Sequence, residues 1–237
     1  MTGESYSVFN AMTDLVAAPG KALDNVREHT AWFWWPLLIS IVLGGGMLVY
    51  YYNWVDFDWL IEEAIRQAPP ERRAQGAEAI RSFMNPGRTQ MIGLVSVVVM
   101  TFVLYTLQAT WLHLANKLTT GADIHFGQWF SFSAWTAFVG VFGALGAFVT
   151  MFMADSHQVS LEQLVIFSIN SVFLHIGPDN PWYRWASSLT LLNIWTLILM
   201  SIGYARWTGA SQLKSAIIAV LPWLLFFGIW AARIQPA

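Results

Sequence analysis

Five long stretches of this chain carry no charged side chain, and this feature limits the fold more than any other. Each is close to the ~20 predominantly apolar residues that an α-helix needs to cross a bilayer. Lipid offers no hydrogen-bond partners, so such a segment forms a helix that satisfies its own backbone. The stretches are Ala31–Tyr52, Gln90–Leu112, Trp129–Met153, Ala186–Ala205 and Ser215–Trp230. The sequence therefore predicts an all-α, polytopic integral membrane protein with five transmembrane helices.

The composition excludes several classes of protein. Charged residues make up 11% of the 237 residues and hydrophobic residues 56%, whereas a soluble domain has about 25% charged residues. The net charge of −2 gives no general attraction to nucleic acid. The absence of cysteine excludes disulfides and thiolate chemistry. Asp-x-His pairs such as Asp123 and His125 lack a nearby third ligand. We therefore expect no nucleic-acid partner, catalytic residues, metal or cofactor.

Residues 1–30 are predicted to be an N-terminal interfacial segment, and residues 31–237 a single five-span domain. A helix over Val8–Val16 would lie along the lipid headgroups and end at Pro19-Gly20. Its predicted apolar side comprises Phe9, Met12, Leu15 and Val16.

The largest polar segment between spans covers residues 53–88, and Pro69-Pro70 divides it into two helical parts. This pattern predicts an extramembrane helical hairpin between spans one and two. The stretch Leu161–Phe173 is apolar but is interrupted by Glu162, Gln163 and Asn170. We interpret it as re-entrant or interfacial and not as a sixth span.

Four polar residues in the spans are candidates for binding a ligand or lipid: Gln108, His113, Asn116 and Asn193. Polar side chains at membrane depth often mark a ligand or proton path. The alternative is that the first three lie at the headgroup level near the end of the second span. Asn193, in the fourth span, would then join neighbouring helices by a hydrogen bond near mid-bilayer.

Small residues indicate where helices pack closely. Gly44, Gly45 and Gly46 lie in the first span, and Gly140, Gly143 and Gly146 in the third. Gly140 with Ala144 and Gly143 with Ala147 are pairs of small residues four apart, and such pairs let another helix approach. We therefore expect Gly140, Gly143 and Gly146 to form a tight helix–helix contact. Pro222 lies inside the fifth span, lacks an N–H for the carbonyl of Ile218, and predicts a kink.

Three phrases of the sequence resemble the Yip family (Ypt-interacting proteins), in its bacterial branch. They are LVAAPGKALDNVREHTAWFWWPLL before the first span, KLTTGADIHFGQWFSFSAW before the third, and LNIWTLILMSIGYARWTGASQLKSAI between the fourth and fifth. The last includes Ile194-Trp195, Ile202-Gly203 and Thr208-Gly209. At the start of the fourth span this chain has Thr190 where the family often has an acidic residue.

The resemblance implies a multi-pass protein of the bacterial inner membrane with its N-terminus in the cytoplasm and its C-terminus on the opposite face. The count of positive charges favours the reverse orientation by a margin of two, seven against five, which is too small to decide.

Two classes of function remain open from the sequence. The first is a non-catalytic membrane scaffold or adaptor, acting through helix packing and through a protein partner or self-association. The second is a transporter or lipid-handling protein with a polar route near Gln108, His113 and Asn193. The spans contain no charged residue, which favours the scaffold, since solute paths usually need buried charge. Membrane lipids are expected partners in either case.

Overall fold

The computed structural model describes residues 6–68 and 70–234, with the side chains of 70–75 left out. Within these ranges the regular elements are helices, and Ser168 and Thr190 form one isolated antiparallel bridge. The α-helices are α1 (Val8–Ala17), α2 (Pro19–Glu28), α3 (Trp34–Trp54), α4 (Phe57–Arg66), α5 (Pro70–Phe83), α6 (Pro86–Thr119), α7 (Phe126–Ala137), α8 (Val141–Met153), α9 (Tyr183–Ser188), α10 (Leu191–Thr208) and α11 (Gln212–Ala232). The predicted all-α class is confirmed.

Four helical segments of the described chain are long and apolar enough to cross a membrane. They are Thr30–Trp54, Pro86–Thr119, Phe126–Met153 and Gln212–Ala232, which correspond to the first, second, third and fifth predicted spans. In the third of these, a short 3-10 turn at Phe138–Gly140 joins α7 to α8. The protein is therefore a multi-pass membrane protein.

The fourth predicted span corresponds to α10, which has 18 residues and is not among these four segments. The start predicted at Ala186 is wrong, because Ala186 lies in the short helix α9. Gly209 ends α10 in the left-handed conformation (φ 70°). At the opposite end, the indole of Trp185 donates to the carbonyl of Phe227, 3.0 Å away. Thus α10 runs antiparallel to the apolar helix α11, and the count of five spans stays a prediction.

The largest buried cluster lies where α2, α7 and α10 meet. The rings of Trp129 and Tyr204 stack at 5.5 Å, and Phe132 meets Trp207 edge-on at 4.8 Å. Gly203 allows this approach: a Cβ there would overlap the ring of Phe132 and lie 2.8 Å from Cδ1 of Leu23. The second helix of the N-terminal segment is therefore part of the bundle core.

The apolar side predicted for α1 divides between the bundle and the exposed surface. Leu15 is fully buried, together with Ala11, whereas Phe9 is 64% exposed and Val16 is 51% exposed. Residues four apart share one line along a helix, so Ala11 and Leu15 face the bundle. Phe9 lies beside it and approaches the ring of Trp35, with 6.1 Å between ring centroids.

The polar segment between the first two apolar helices forms the predicted pair of helices, α4 and α5. Asp56 caps α4 by accepting from the backbone N–H of Trp59 (3.1 Å). Arg81 of α5 forms an ion pair with Glu62 of α4 at 2.8 Å. Pro69, predicted to separate the helices, lies outside the described residues, and α5 begins at Pro70.

Replacing Gly203 by alanine should destabilise the protein, because the added Cβ overlaps the buried ring of Phe132. Overpacking of this kind costs about 1–3 kcal/mol. The matched control is Gly228→Ala in α11, where the added Cβ meets no atom within 4 Å. Thermal unfolding in detergent should show a lower Tm for G203A than for G228A. Equal Tm values would mean that the α2–α10 contact is loose.

Candidate functional site

The predicted polar candidates are engaged in separate places. Gln108 of α6 donates from Nε2 to the hydroxyl of Thr136 on α7 at 3.0 Å. His113, one turn further along α6, meets the ring of Phe126 edge-on at 6.2 Å. Its buried Nδ1 has no hydrogen-bond partner among the described residues. Gln108 therefore joins α6 to α7. The Nδ1 of His113 is left without a hydrogen-bond partner among the described residues.

Asn116 shapes the turn between α6 and α7. Its Nδ2 donates to the carbonyl of Ala122 at 2.8 Å, and its Oδ1 accepts from the hydroxyl of Thr120 at 2.7 Å. Gly121 adopts a left-handed conformation in this turn (φ 64°). Asn116 is 2% exposed, and its hydrogen bonds stabilise the turn between α6 and α7.

The expectation that Asn193 joins helices near mid-bilayer is not met. Because α10 begins at Leu191 and not at Ala186, Asn193 is the third residue of the helix. Its Oδ1 accepts from the backbone N–H (2.8 Å) and hydroxyl (2.7 Å) of Thr190, and the Thr190 hydroxyl accepts from the backbone N–H of Asn193. This reciprocal pair is a capping box. Thr190 thus supplies the N-cap oxygen that an acidic residue would also supply.

Among the described residues, no hydrogen bond connects Gln108, His113 and Asn193 to one another. The polar route proposed for a transporter therefore has no continuous chain of contacts in this part of the molecule.

The glycines of the third span do not form the single helix–helix contact that their spacing predicts. A Cβ at Gly140 would meet nothing within 4 Å, and one at Gly143 would lie at an ordinary 3.5 Å from Leu192. Gly146 is tightly packed, because a Cβ there would lie 2.8 Å from Cδ1 of Ile166. The spacing predicted the wrong kind of partner, because Ile166, the close neighbour of Gly146, lies in the irregular segment after α8 and not in a helix.

In the first span, the middle glycine faces α6 most closely. A Cβ at Gly45 would lie 3.2 Å from Leu94, and one at Gly44 would lie 3.6 Å from Val97. At Gly46 it would meet nothing within 4 Å. The α3–α6 contact also depends on Gly93, which was not predicted. A Cβ at Gly93 would lie 3.2 Å from Leu48.

The carbonyl freed by Pro222 has a partner from another helix. Proline lacks the N–H that would bond to Ile218, and the indole of Trp111 on α6 donates to that carbonyl at 2.8 Å. The α11 helix continues through Pro222 from Gln212 to Ala232. Pro222 therefore allows a contact between α11 and α6, because it leaves the Ile218 carbonyl free to accept from the indole of Trp111.

A set of polar contacts fastens α2 to α7 and α10. The indole of Trp207 donates to the carbonyl of Leu23 at 3.0 Å, and Arg27 donates to the carbonyl of Trp207 at 3.1 Å. Gln128 of α7 donates to the carbonyl of Arg27 at 3.2 Å. Arg206 forms an ion pair with Asp24. We call these contacts, with the buried side chain of Leu23, the α2 anchor.

A second polar cluster fastens the α4–α5 pair at the opposite end of the bundle. Glu63 is 6% exposed and pairs with Arg66. Gln67 donates to Glu63 and accepts from Arg184, each at 2.7 Å. Nearby, Gln158 donates to Asp56 at 3.0 Å, and this bond lowers the pKa of the Asp56 carboxyl. Both helix pairs, α1–α2 and α4–α5, are therefore held on the bundle.

These anchoring residues were missed because their partners are backbone atoms distant in sequence. Trp111 and Trp207 are expected at the headgroup level as membrane-interface markers, yet each donates to a carbonyl more than a hundred residues away. For one of these bonds the sequence did contain a signal. Pro222 predicts a free carbonyl at Ile218, although it does not predict which residue donates to it. The described residues hold no cluster of three or more side chains suited to a metal ion.

Comparison with models of protein families gives a match over nearly the whole chain. The family model described as Yip1 domain matches residues 13–233, a range that includes the α2 anchor and the α4–α5 pair. No curated protein matches the chain, and no solved structure matches it.

The pairing of Trp111 with Pro222 can be tested by a double-mutant cycle. Trp111→Phe removes the donor and should cost about 1–2 kcal/mol, because it leaves the Ile218 carbonyl unsatisfied. On a Pro222→Ala background the same change should cost less, since the new N–H at position 222 can bond to Ile218. Unfolding in detergent should give a coupling above ~0.5 kcal/mol. Additive losses would contradict the pairing.

Proposed function

Because the chain belongs to the Yip1 domain family, we propose that it acts as a non-catalytic membrane scaffold. It binds a protein partner, or a second copy of itself, through extramembrane helices held at fixed positions on the membrane bundle. The observation that carries this proposal is the α2 anchor. Leu23 and Val26 are fully buried, and hydrogen bonds join α2 to both α7 and α10.

A fixed extramembrane surface favours binding, because little conformational freedom is lost when a partner docks. On the outer side of α1, Thr13 and Val16 are exposed. The α4–α5 pair offers a second such surface, held by Arg184 through Gln67. The transporter alternative draws no support from Gln108, His113 and Asn193, whose side chains make separate local contacts.

We place the protein in the bacterial inner membrane, with the N-terminus in the cytoplasm. The α2 anchor, the turn between α6 and α7, and the turn after α10 lie at one end of the bundle, since α2 contacts residues of α7 and α10 there. That end faces the cytoplasm in this proposal. The α4–α5 pair lies at the opposite end.

The orientation can be tested with single cysteines, because the natural chain has none. Glu78→Cys lies on α5, and Asp123→Cys lies in the turn between α6 and α7; both positions are exposed. In intact spheroplasts, a membrane-impermeant maleimide should label Cys at position 78 at once and Cys at position 123 only after the membrane is permeabilised. The reverse pattern would contradict a cytoplasmic N-terminus.

The scaffold role can be tested by photo-crosslinking in native membranes. A photoreactive residue at Thr13, on the exposed side of α1, should give discrete protein adducts. Val98, which is 39% exposed on α6, is the matched control and should react with lipid. A differently tagged second copy identifies self-association among the adducts. Equal adducts at both positions, or movement of solutes or lipids by the purified chain in vesicles, would overturn the proposal.

A further inference from the structure

A groove separates the α4–α5 pair from the first turns of α6. Its volume is about 930 Å³, within the ~300–1,000 Å³ typical of ligand pockets. The wall on the α4–α5 side includes Ala64, Ile80 and Phe83, and the wall on α6 includes Ile92 and Gly93. The groove belongs neither to the α2 anchor nor to the Gln67–Arg184 contact.

The groove spans the depth at which a lipid changes from headgroup to acyl chain. Arg88 and Lys117 are separated by 28 uncharged residues of α6. From Arg88 to Ser96, the lining residues cover eight positions, or ~12 Å at 1.5 Å per residue. Arginine at the end of a membrane helix places its charge at the interface. One end of the groove is therefore polar and charged, and the other end is apolar.

The guanidinium of Arg88 is held in place with donors to spare. Its Nη1 donates to the carbonyl of Phe83 at 3.1 Å, and the group lies over the Phe83 ring, 5.4 Å from the centroid. Within the described part of the chain, Arg88 forms no ion pair. Arginine has five N–H donors in a fork that matches phosphate.

The remaining polar groups of the groove are hydroxyls. They belong to Tyr52, Ser82, Thr89 and Ser96. Among the described lining residues, Arg88 carries the one charge and no carboxylate is present. A headgroup with net negative charge is therefore matched in sign, whereas the amine of a zwitterionic headgroup finds no carboxylate there.

We propose that this groove binds one anionic phospholipid, with the phosphate on Arg88 and an acyl chain along the walls formed by α5 and α6. An acyl chain gains little by leaving other lipid for an apolar groove. Selectivity therefore comes from the charge-assisted bond between guanidinium and phosphate. This site is separate from the surfaces of the scaffold proposal, which place partners on the outer sides of the extramembrane helices.

Native mass spectrometry of the full chain, extracted from vesicles of equal parts phosphatidylglycerol and phosphatidylcholine, tests the proposal. The wild-type chain should retain one phosphatidylglycerol in preference to phosphatidylcholine. Arg88→Gln should reduce that retention about tenfold, the effect of losing one hydrogen bond to a charged group. Arg233→Gln is the matched control, since Arg233 follows α11 at the same end of the bundle and should change nothing.

A second variant tests the apolar part of the groove. Ala79→Phe fills the groove from α5, at an exposed position outside the apolar helices, and should also reduce retention while leaving the Tm unchanged. Equal retention by wild type and R88Q would overturn the proposal. So would equal losses in R88Q and R233Q, which would indicate general attraction of anionic lipid to positive charge. A second copy of the chain occupying the groove, seen as a dimer that A79F abolishes, would overturn it as well.

Discussion

The hydrogen bond from the indole of Trp207 to the carbonyl of Leu23 joins the N-terminal helix pair to the rest of the bundle. Both residues are nearly or fully buried, so the bond forms away from water, where an unpaired carbonyl costs most. Its geometry depends on the close approach of α2 to α10 at Gly203. The orientation of α1 then follows, because α1 packs on the bundle through Leu15 and leads directly into α2.

Trp111 and Trp185 use the same chemistry elsewhere, donating to Ile218 and Phe227 of α11. An indole suits this role, since its body packs as an apolar surface while its single N–H needs one acceptor. In a chain with no charged residue in its predicted spans, backbone carbonyls are the most numerous acceptors at that depth. Three indole–carbonyl bonds thus join α2 to α10, α6 to α11 and α9 to α11.

Much of the fold could be predicted from residue patterns, because charge is costly in hydrocarbon and the stretches without charged residues are visible in the sequence. The stretch Gln90–Leu112 lies within α6, and the polar segment after α3 forms two helices. The start of α10 could not be found this way: Ala186 to Leu189 are apolar or small, yet Thr190 and Asn193 form the cap that begins the helix. Hydropathy does not register a capping box, and the assignment of Asn193 to mid-bilayer failed for that reason. The groove beside Arg88 was also beyond prediction, since it depends on how α5 lies against α6.

The length of α6 has a consequence for the bilayer around the protein. Its 34 residues extend ~51 Å, well beyond the ~30 Å hydrocarbon core. The two charged residues nearest its ends, Arg88 and Lys117, are 29 positions apart, or ~44 Å at 1.5 Å per residue. This is close to the ~40–45 Å of a bilayer that includes its headgroup layers. A helix of this length reaches both headgroup layers without a large tilt, so the lipids beside α6 meet a positive charge at each face of the membrane.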